Sequence, residues 1–218
     1  MRKKLTMKIL RVALFGLLVL FIVMPVFSLA LWAFASRWPW PDLLPAFTLK
    51  GLTDLFASPR GGLGALLLGT GISLCVAGIA VVVLLPVSRV LAFYDFKGKG
   101  LIEGLLVVPL FVPAISIALG AQLFLLRTGL ANTVGAVVLV QVVPCFPYVA
   151  YLLRNGFEAF GQRYEEWAQA LGASWTRVWW DITLPLMRPY IAAAVWMAFL
   201  VSSGQYLLTF YVGGGWVD

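Results

Sequence analysis

The chain has 218 residues, 62% of them hydrophobic and 11% charged. Soluble domains are nearer half apolar and a quarter charged, so the composition excludes an ordinary soluble core and points to the bilayer as solvent. A formal charge of +7, no histidine and only two cysteines exclude a histidine/cysteine zinc site and a disulfide framework. The basic excess needs only anionic lipid, and no nucleic acid, to explain it.

Five apolar runs are long enough to cross a bilayer, which takes about 20 residues; they occupy 12–34, 61–88, 104–126, 132–153 and 189–212. Lipid offers no partner for an open amide, so each run is predicted helical, and the fold class is an all-α membrane protein. The first run follows a basic start (Arg2, Lys3, Lys4) and ends in an Ala33-Phe34-Ala35 step that resembles a cleavage site. Its length exceeds the roughly 7–15 apolar residues of a signal core, so a retained helix is expected. The segment 35–60 is rich in proline and tryptophan (Trp38, Pro39, Trp40, Pro41, Pro45), a composition suited to the membrane interface.

The second run carries Gly69 and Gly71 after the cluster Gly61, Gly62 and Gly64. Without the GK[ST] ending of a phosphate loop, these glycines are expected to serve close helix packing. Cys75 and Cys145 lie inside apolar runs and read as small packing residues. The third and fourth runs contain Pro109, Pro113, Pro144 and Pro147, so both helices are expected to be irregular. With the N-terminus in the cytoplasm and sides alternating, twelve of the sixteen lysines and arginines fall inside. That asymmetry sets the orientation by the positive-inside rule.

The inside loop 155–188 has a pattern of its own. Phe157, Phe160, Tyr164, Trp167 and Leu171 step by three and four, so they share one helical face. Gly172 interrupts, and Trp175, Val178, Trp179 and Ile182 form a second face before Pro185. Two short amphipathic helices bent at a glycine are predicted, with Pro185 ending the second and Pro189 opening the next span. Such a pair could rest on lipid. The loop, however, balances Arg154, Arg163, Arg177 and Arg188 against Glu158, Glu165, Glu166 and Asp181, whereas lipid-bound helices carry a basic polar face. The balance favours a protein partner.

Here the sequence resembles a known family. Glu166-Trp167-Ala168, three residues, Gly172, nine residues, then Ile182-Thr183-Leu184-Pro185 is similar to the EAA loop of binding-protein-dependent ABC importer permeases, E-A-A-x3-G-x9-I-x-L-P. Only Trp167 departs, standing where the pattern has alanine. The resemblance implies a type I, MetI-like permease in which this loop docks in a groove of a separate ATPase subunit. Glu166, Trp167, Ala168, Gly172, Ile182, Leu184 and Pro185 would make the coupling contact. The larger Trp167 implies a partner groove that differs from the usual one.

The spans carry no acid or base at their middles, and secondary transporters place such groups there to carry coupling ions. A membrane-embedded enzyme would need a polar catalytic cluster, which the absence of histidine and of intramembrane acids disfavours. Transport driven by a partner is therefore expected, with no cofactor and no chemistry in this chain. The polar span residues are read first as interhelical hydrogen-bonding groups; Ser203, Gln205, Tyr206 and Gln141 are the candidates for a translocation path.

The expected organisation is an N-terminal helix with an external loop over 1–60 and a permease core over 61–218. The partners implied are ATP-binding cassette ATPase subunits, a second permease subunit (the same chain or another) and a periplasmic solute-binding protein, all at a bacterial inner membrane. The segment 205–215 resembles permeases for thiamine, iron or polyamines. Family members usually return to the cytoplasm through one more helix after the fifth span, so the core is expected to lack its final helix. Ser202, Ser203 and Gln205 would then want a neighbour.

Overall fold

A computed structural model describes residues 2–37, 46–57 and 62–214. Trp38, Pro39, Trp40, Pro41 and Pro45, Gly61 and the last four residues lie outside the described residues. The chain divides into two compact units, 1–64 and 65–218.

In the first unit, α1 (Arg2–Ala33) contains an apolar stretch of 24 residues from Leu10 to Ala33. At 1.5 Å per residue this is about 36 Å, enough for the roughly 30 Å hydrocarbon layer. Its large apolar side chains, Phe15, Phe21 and Leu29 among them, are exposed, a state only lipid or another apolar surface tolerates. The chain then forms a short antiparallel pair, β1 (Ala35–Arg37) with β2 (Ala46–Phe47), followed by α2 (Lys50–Ala57). This small pairing is the one strand pair among the described residues, and the fold class is all-α as expected. Backbone leaving the helix satisfies its own amides, and Thr48 N donates to Phe34 O at 2.7 Å.

Every regular element among the second unit's described residues is a helix. It contains α3 (Gly62–Phe93), α4 (Lys99–Val107) with a 3-10 turn (Val108–Leu110), α5 (Ala114–Thr128) and α6 (Val134–Phe160). Then come α7 (Arg163–Ala170), α8 (Trp175–Val178), a π turn (Trp179–Thr183), α9 (Leu184–Ser203) and α10 (Tyr206–Gly213). The core is built on α6 and α9. Gln141, Cys145, Val149 and Leu153 recur every fourth residue on the buried face of α6, and Ala194, Ala198 and Ser202 do the same on α9. Small residues let the two backbones approach where no hydrophobic force operates between helices. Val76, Ala80 and Leu84 bring α3 onto this core.

The third run is irregular as its prolines imply, while the fourth and fifth differ from their expected form. The run 104–126 is two helices, Lys99–Leu110 and Ala114–Thr128, meeting at 102°. Pro113 adopts ψ 134°, and a proline both lacks a donor and pushes the preceding residue out of helical geometry. The fourth span, expected to be irregular, is an unbroken helix with Pro144 and Pro147 inside it. The fifth is not a single helix over 189–212: it starts at Leu184, stops at Ser203 and resumes at Tyr206.

The glycine reading also changes. A Cβ added at Gly69 or Gly71 would meet nothing within 4 Å, so neither serves close packing within this chain. Gly156 does: a Cβ there would sit 2.6 Å from Tyr190 Cγ, so this glycine is the notch through which α9 crosses α6. Cys145 is buried as expected, with its Sγ 3.4 Å from Gln141 O, while Cys75 is exposed.

The second unit has two recognisable ends. Arg89, Glu103, Arg154, Glu165 and Thr183 gather at one through Arg154 Nη1–Glu103 Oε1 (2.6 Å) and Thr183 Oγ1–Glu165 Oε1 (2.8 Å). The other is closed by Asn132 N donating to Val212 O at 3.1 Å.

Candidate functional site

The EAA-like segment folds as a helix, a tight turn and a second helix. α6 ends at Phe160 because Gly161 takes φ 69°. The face predicted to run unbroken from Phe157 to Leu171 is therefore split. Phe157 is fully buried against Phe93 (5.6 Å, edge-on), whereas Tyr164, Trp167 and Leu171 point outward. The inside loop is correspondingly shorter than 155–188, since α6 claims its first residues.

α7 begins at Arg163 with Glu165 and Glu166 in its first turn, where acidic groups complement the helix dipole. It closes by a Schellman-type turn: Ala173 N donates to Ala168 O (3.0 Å) while Gly172 takes φ 88°. Only a residue without Cβ adopts that conformation freely. The second helix does not end at Pro185. Leu184 N bonds Trp179 O in the π turn, and the helix continues past Pro185 and Pro189 into α9. The wider π turn absorbs the bond that Pro185 cannot make.

Side-chain polarity is inverted in this segment. Trp167, Trp175, Trp180 and Leu171 are exposed, Leu171 to 89%, while Glu165 is only 2% exposed. Trp167 packs edge-on against Tyr164 at 5.9 Å, and Trp175 stacks on Trp179 at 5.6 Å. Glu166 and Gly172 are also exposed; Ala168, Ile182, Leu184 and Pro185 are half-buried. The motif residues thus form an outward surface with aromatic knobs. Glu165 receives both Arg89 nitrogens, Nε to Oε1 at 3.4 Å and Nη2 to Oε2, and Thr183 donates to it. Glu165 and Thr183 stand beside the motif's anchors and were not singled out from the sequence. The one available signal was Arg89, a lone guanidinium just past an apolar run, which needs an acid nearby.

The second cluster surrounds the break between α9 and α10. Gln141 is buried and accepts from Ser202 Oγ at 2.5 Å; its Nε2 donates to Thr209 Oγ1 at 2.7 Å. Thr209 donates in turn to Gln205 O at 3.1 Å. Ser203 Oγ donates to Phe199 O (2.7 Å) and reaches Ser73 Oγ on α3 (3.2 Å). Gln141 and the Gln205 carbonyl are therefore linked through Thr209, and Ser203 turns instead to Ser73 on α3, whereas Tyr206 faces outward and stacks on Phe210. The serines of the fifth run have partners within the chain. On α5 the side-chain oxygen of Gln122 is buried without a hydrogen-bond partner among the described residues.

Residues 84–217 match the family of binding-protein-dependent transport system inner membrane components. The chain belongs to this family. The match takes in Arg89, the whole EAA-like segment and the helix break, and with the apolar helices it makes the chain a multi-pass membrane permease-family protein. A molybdenum transport system permease protein ModB of Mycobacterium bovis is 27% identical over 208 residues, covering 90% of this chain and 73% of that relative. A spermidine/putrescine transport system permease protein PotC of Haemophilus influenzae is 27% identical over 121 residues, covering 56% of this chain and 47% of the relative. The chain spans about half the length of several curated relatives it matches, 45% and 47% in two cases. In fold it is similar to a bacterial ABC transporter involved in the import of the acidic polysaccharide alginate, with a TM-score of 0.70 at 16% identity, covering 93% of this chain and 72% of that one.

Proposed function

We propose that this chain is the membrane-spanning subunit of an ATP-driven importer, moving a small solute across the inner membrane while a separate subunit hydrolyses ATP. One observation carries the reading: the α7–α8 turn holds its acid inward and its aromatic knobs outward. Exposed tryptophans on a rigid turn suit a partner's pocket, since this residue type dominates interface energy. Glu166, exposed beside Trp167, offers a carboxylate to basic groups on an ATPase. A second permease subunit, two ATPase subunits and an external binding protein complete the assembly. The N-terminus lies in the cytoplasm, because alternating sides along the chain then put twelve of the sixteen lysines and arginines there.

The solute passes the cluster Gln141, Ser203 and Gln205, which is neutral and rich in hydrogen-bonding groups, with Tyr206 at its margin. The similarity to PotC keeps a polyamine among the candidates, and the similarity to ModB adds an oxyanion.

The test is co-expression with an ATP-binding cassette ATPase subunit from the same genome. Native chain is expected to retain the ATPase through purification. Gly172→Pro and Glu166→Lys are expected to insert normally and to lower uptake at least tenfold, since proline cannot adopt φ 88°. Unchanged uptake in both variants would remove the coupling role.

A further inference from the structure

We infer that Arg89, Glu165 and Thr183 form a clasp that carries movement of the coupling turn into α3 and α9 together. The inference rests on the proposed importer function and names positioning residues for it. Glu165 lies on α7, Arg89 on the last turn of α3, and Thr183 in the π turn that leads into α9. Three elements thus converge on Glu165, which is only 2% exposed. Arginine meets it with two nitrogens, a geometry that fixes orientation as well as distance.

Among the described residues α3 is tied to the rest of its unit by three polar contacts: Ser73–Ser203, Ser88–Ala150 and Arg89–Glu165. Only the last is charged, and it reaches the coupling turn directly. The two helices held by the clasp meet again at Ser73 Oγ and Ser203 Oγ, 3.2 Å apart beside the helix break. From Arg89 to Ser73 is about 24 Å along α3, and from Thr183 to Ser203 about 30 Å along α9. A push on α7 therefore has two helices to act through, and both reach the Ser73–Ser203 contact. An outward Glu165 would leave α7 free to tilt without moving either. A buried carboxylate is costly to keep unless its partners hold it, and here those partners are the two helices that must move.

The experiment uses the full chain assembled with its ATPase in proteoliposomes. Ser73→Cys and Ser203→Cys are introduced after Cys75→Ser and Cys145→Ser, and the rate of oxidative cross-linking is measured with and without ATP and vanadate. With the clasp intact, trapping nucleotide is expected to change that rate at least fivefold. In Glu165→Gln the change is expected to fall below twofold while the ATPase stays bound. Exchanging the charges (Arg89→Glu with Glu165→Arg) is expected to recover part of the response, which a loss of fold would not allow. Should Glu165→Gln fail to accumulate, Thr183→Val makes the same comparison, with at least a twofold reduction expected. A native response below twofold, or an equal response in native and variant chains, overturns the clasp. Failure of the native chain to retain an ATPase overturns the importer reading and the clasp with it.

Discussion

Glu165 and Arg89 are unequally exposed, with side chains open to 3% and 12%. Their losses should differ accordingly. Arg89→Leu strands a carboxylate with nowhere to go, a change that costs about 3–5 kcal/mol. Glu165→Gln leaves an arginine whose long stem can carry its charge towards water, so it should cost less. Thermal unfolding of the purified chain in detergent should place Arg89→Leu well below Glu165→Gln; the reverse order would contradict the burial. Gly156 offers a separate test. Its Cβ position lies 2.6 Å from Tyr190, and overfilling a packed contact costs about 1–3 kcal/mol. Gly156→Ala should lower the unfolding temperature, and Tyr190→Ala in the same chain should restore part of the loss.

At the level of elements, the α7–α8 turn is held together because each part supplies what the next lacks. Gly172 closes α7, Glu165 ties it inward, and the π turn carries the chain past Pro185 without breaking α9. Its outward Trp167 adds little to that stability beyond an edge-on contact with the equally exposed Tyr164. Trp167→Ala should therefore leave the unfolding temperature within a degree or so and weaken ATPase binding by at least about 2 kcal/mol, roughly thirtyfold. Titration of detergent-solubilised chain with the purified ATPase measures both affinities. α6 is started by Thr133, whose Oγ1 accepts from Ala136 N at 3.1 Å. Thr133→Ala should cost about 1 kcal/mol with no effect on ATPase binding.

Across the whole second unit, the helices run between two distinct ends, and their order along the chain sets which loops share a side. Reporter fusions after Lys99 and after Gly161 should both read cytoplasmic, and a fusion after Gly129 should read external. Lys99 is held at its end by Asp95 (2.9 Å), and Gly129 closes the turn beside Asn132 at the other. A cytoplasmic signal at Gly129 would invert the assignment of the coupling turn to the ATPase side.

The apolar runs, their number and the EAA-like spacing were legible in the sequence because each is a local property. A bilayer demands length and apolarity from every span separately, and the glycine turn at Gly172 depends on neighbours within six residues. The irregularity of the third run was legible in its prolines, but the place and angle of its break, the break at Gly204, the continuity of α6 through Pro144 and Pro147, and the passage of α9 over Pro185 were not. Proline removes one donor wherever it stands, and whether the helix bends then depends on which neighbouring element packs there. The same holds for the polar groups. The sequence places Gln141, Ser202, Ser203 and Thr209 in spans, but only the crossing of α6, α9 and α10 links Gln141 to Ser202 and Thr209, and only the approach of α3 gives Ser203 its Ser73 partner. Arg89 and Glu165 are 76 residues apart in sequence, and no periodicity links them. Their pairing exists because the ends of α3 and α7 arrive at one place, where a buried charge is stable only with its opposite beside it.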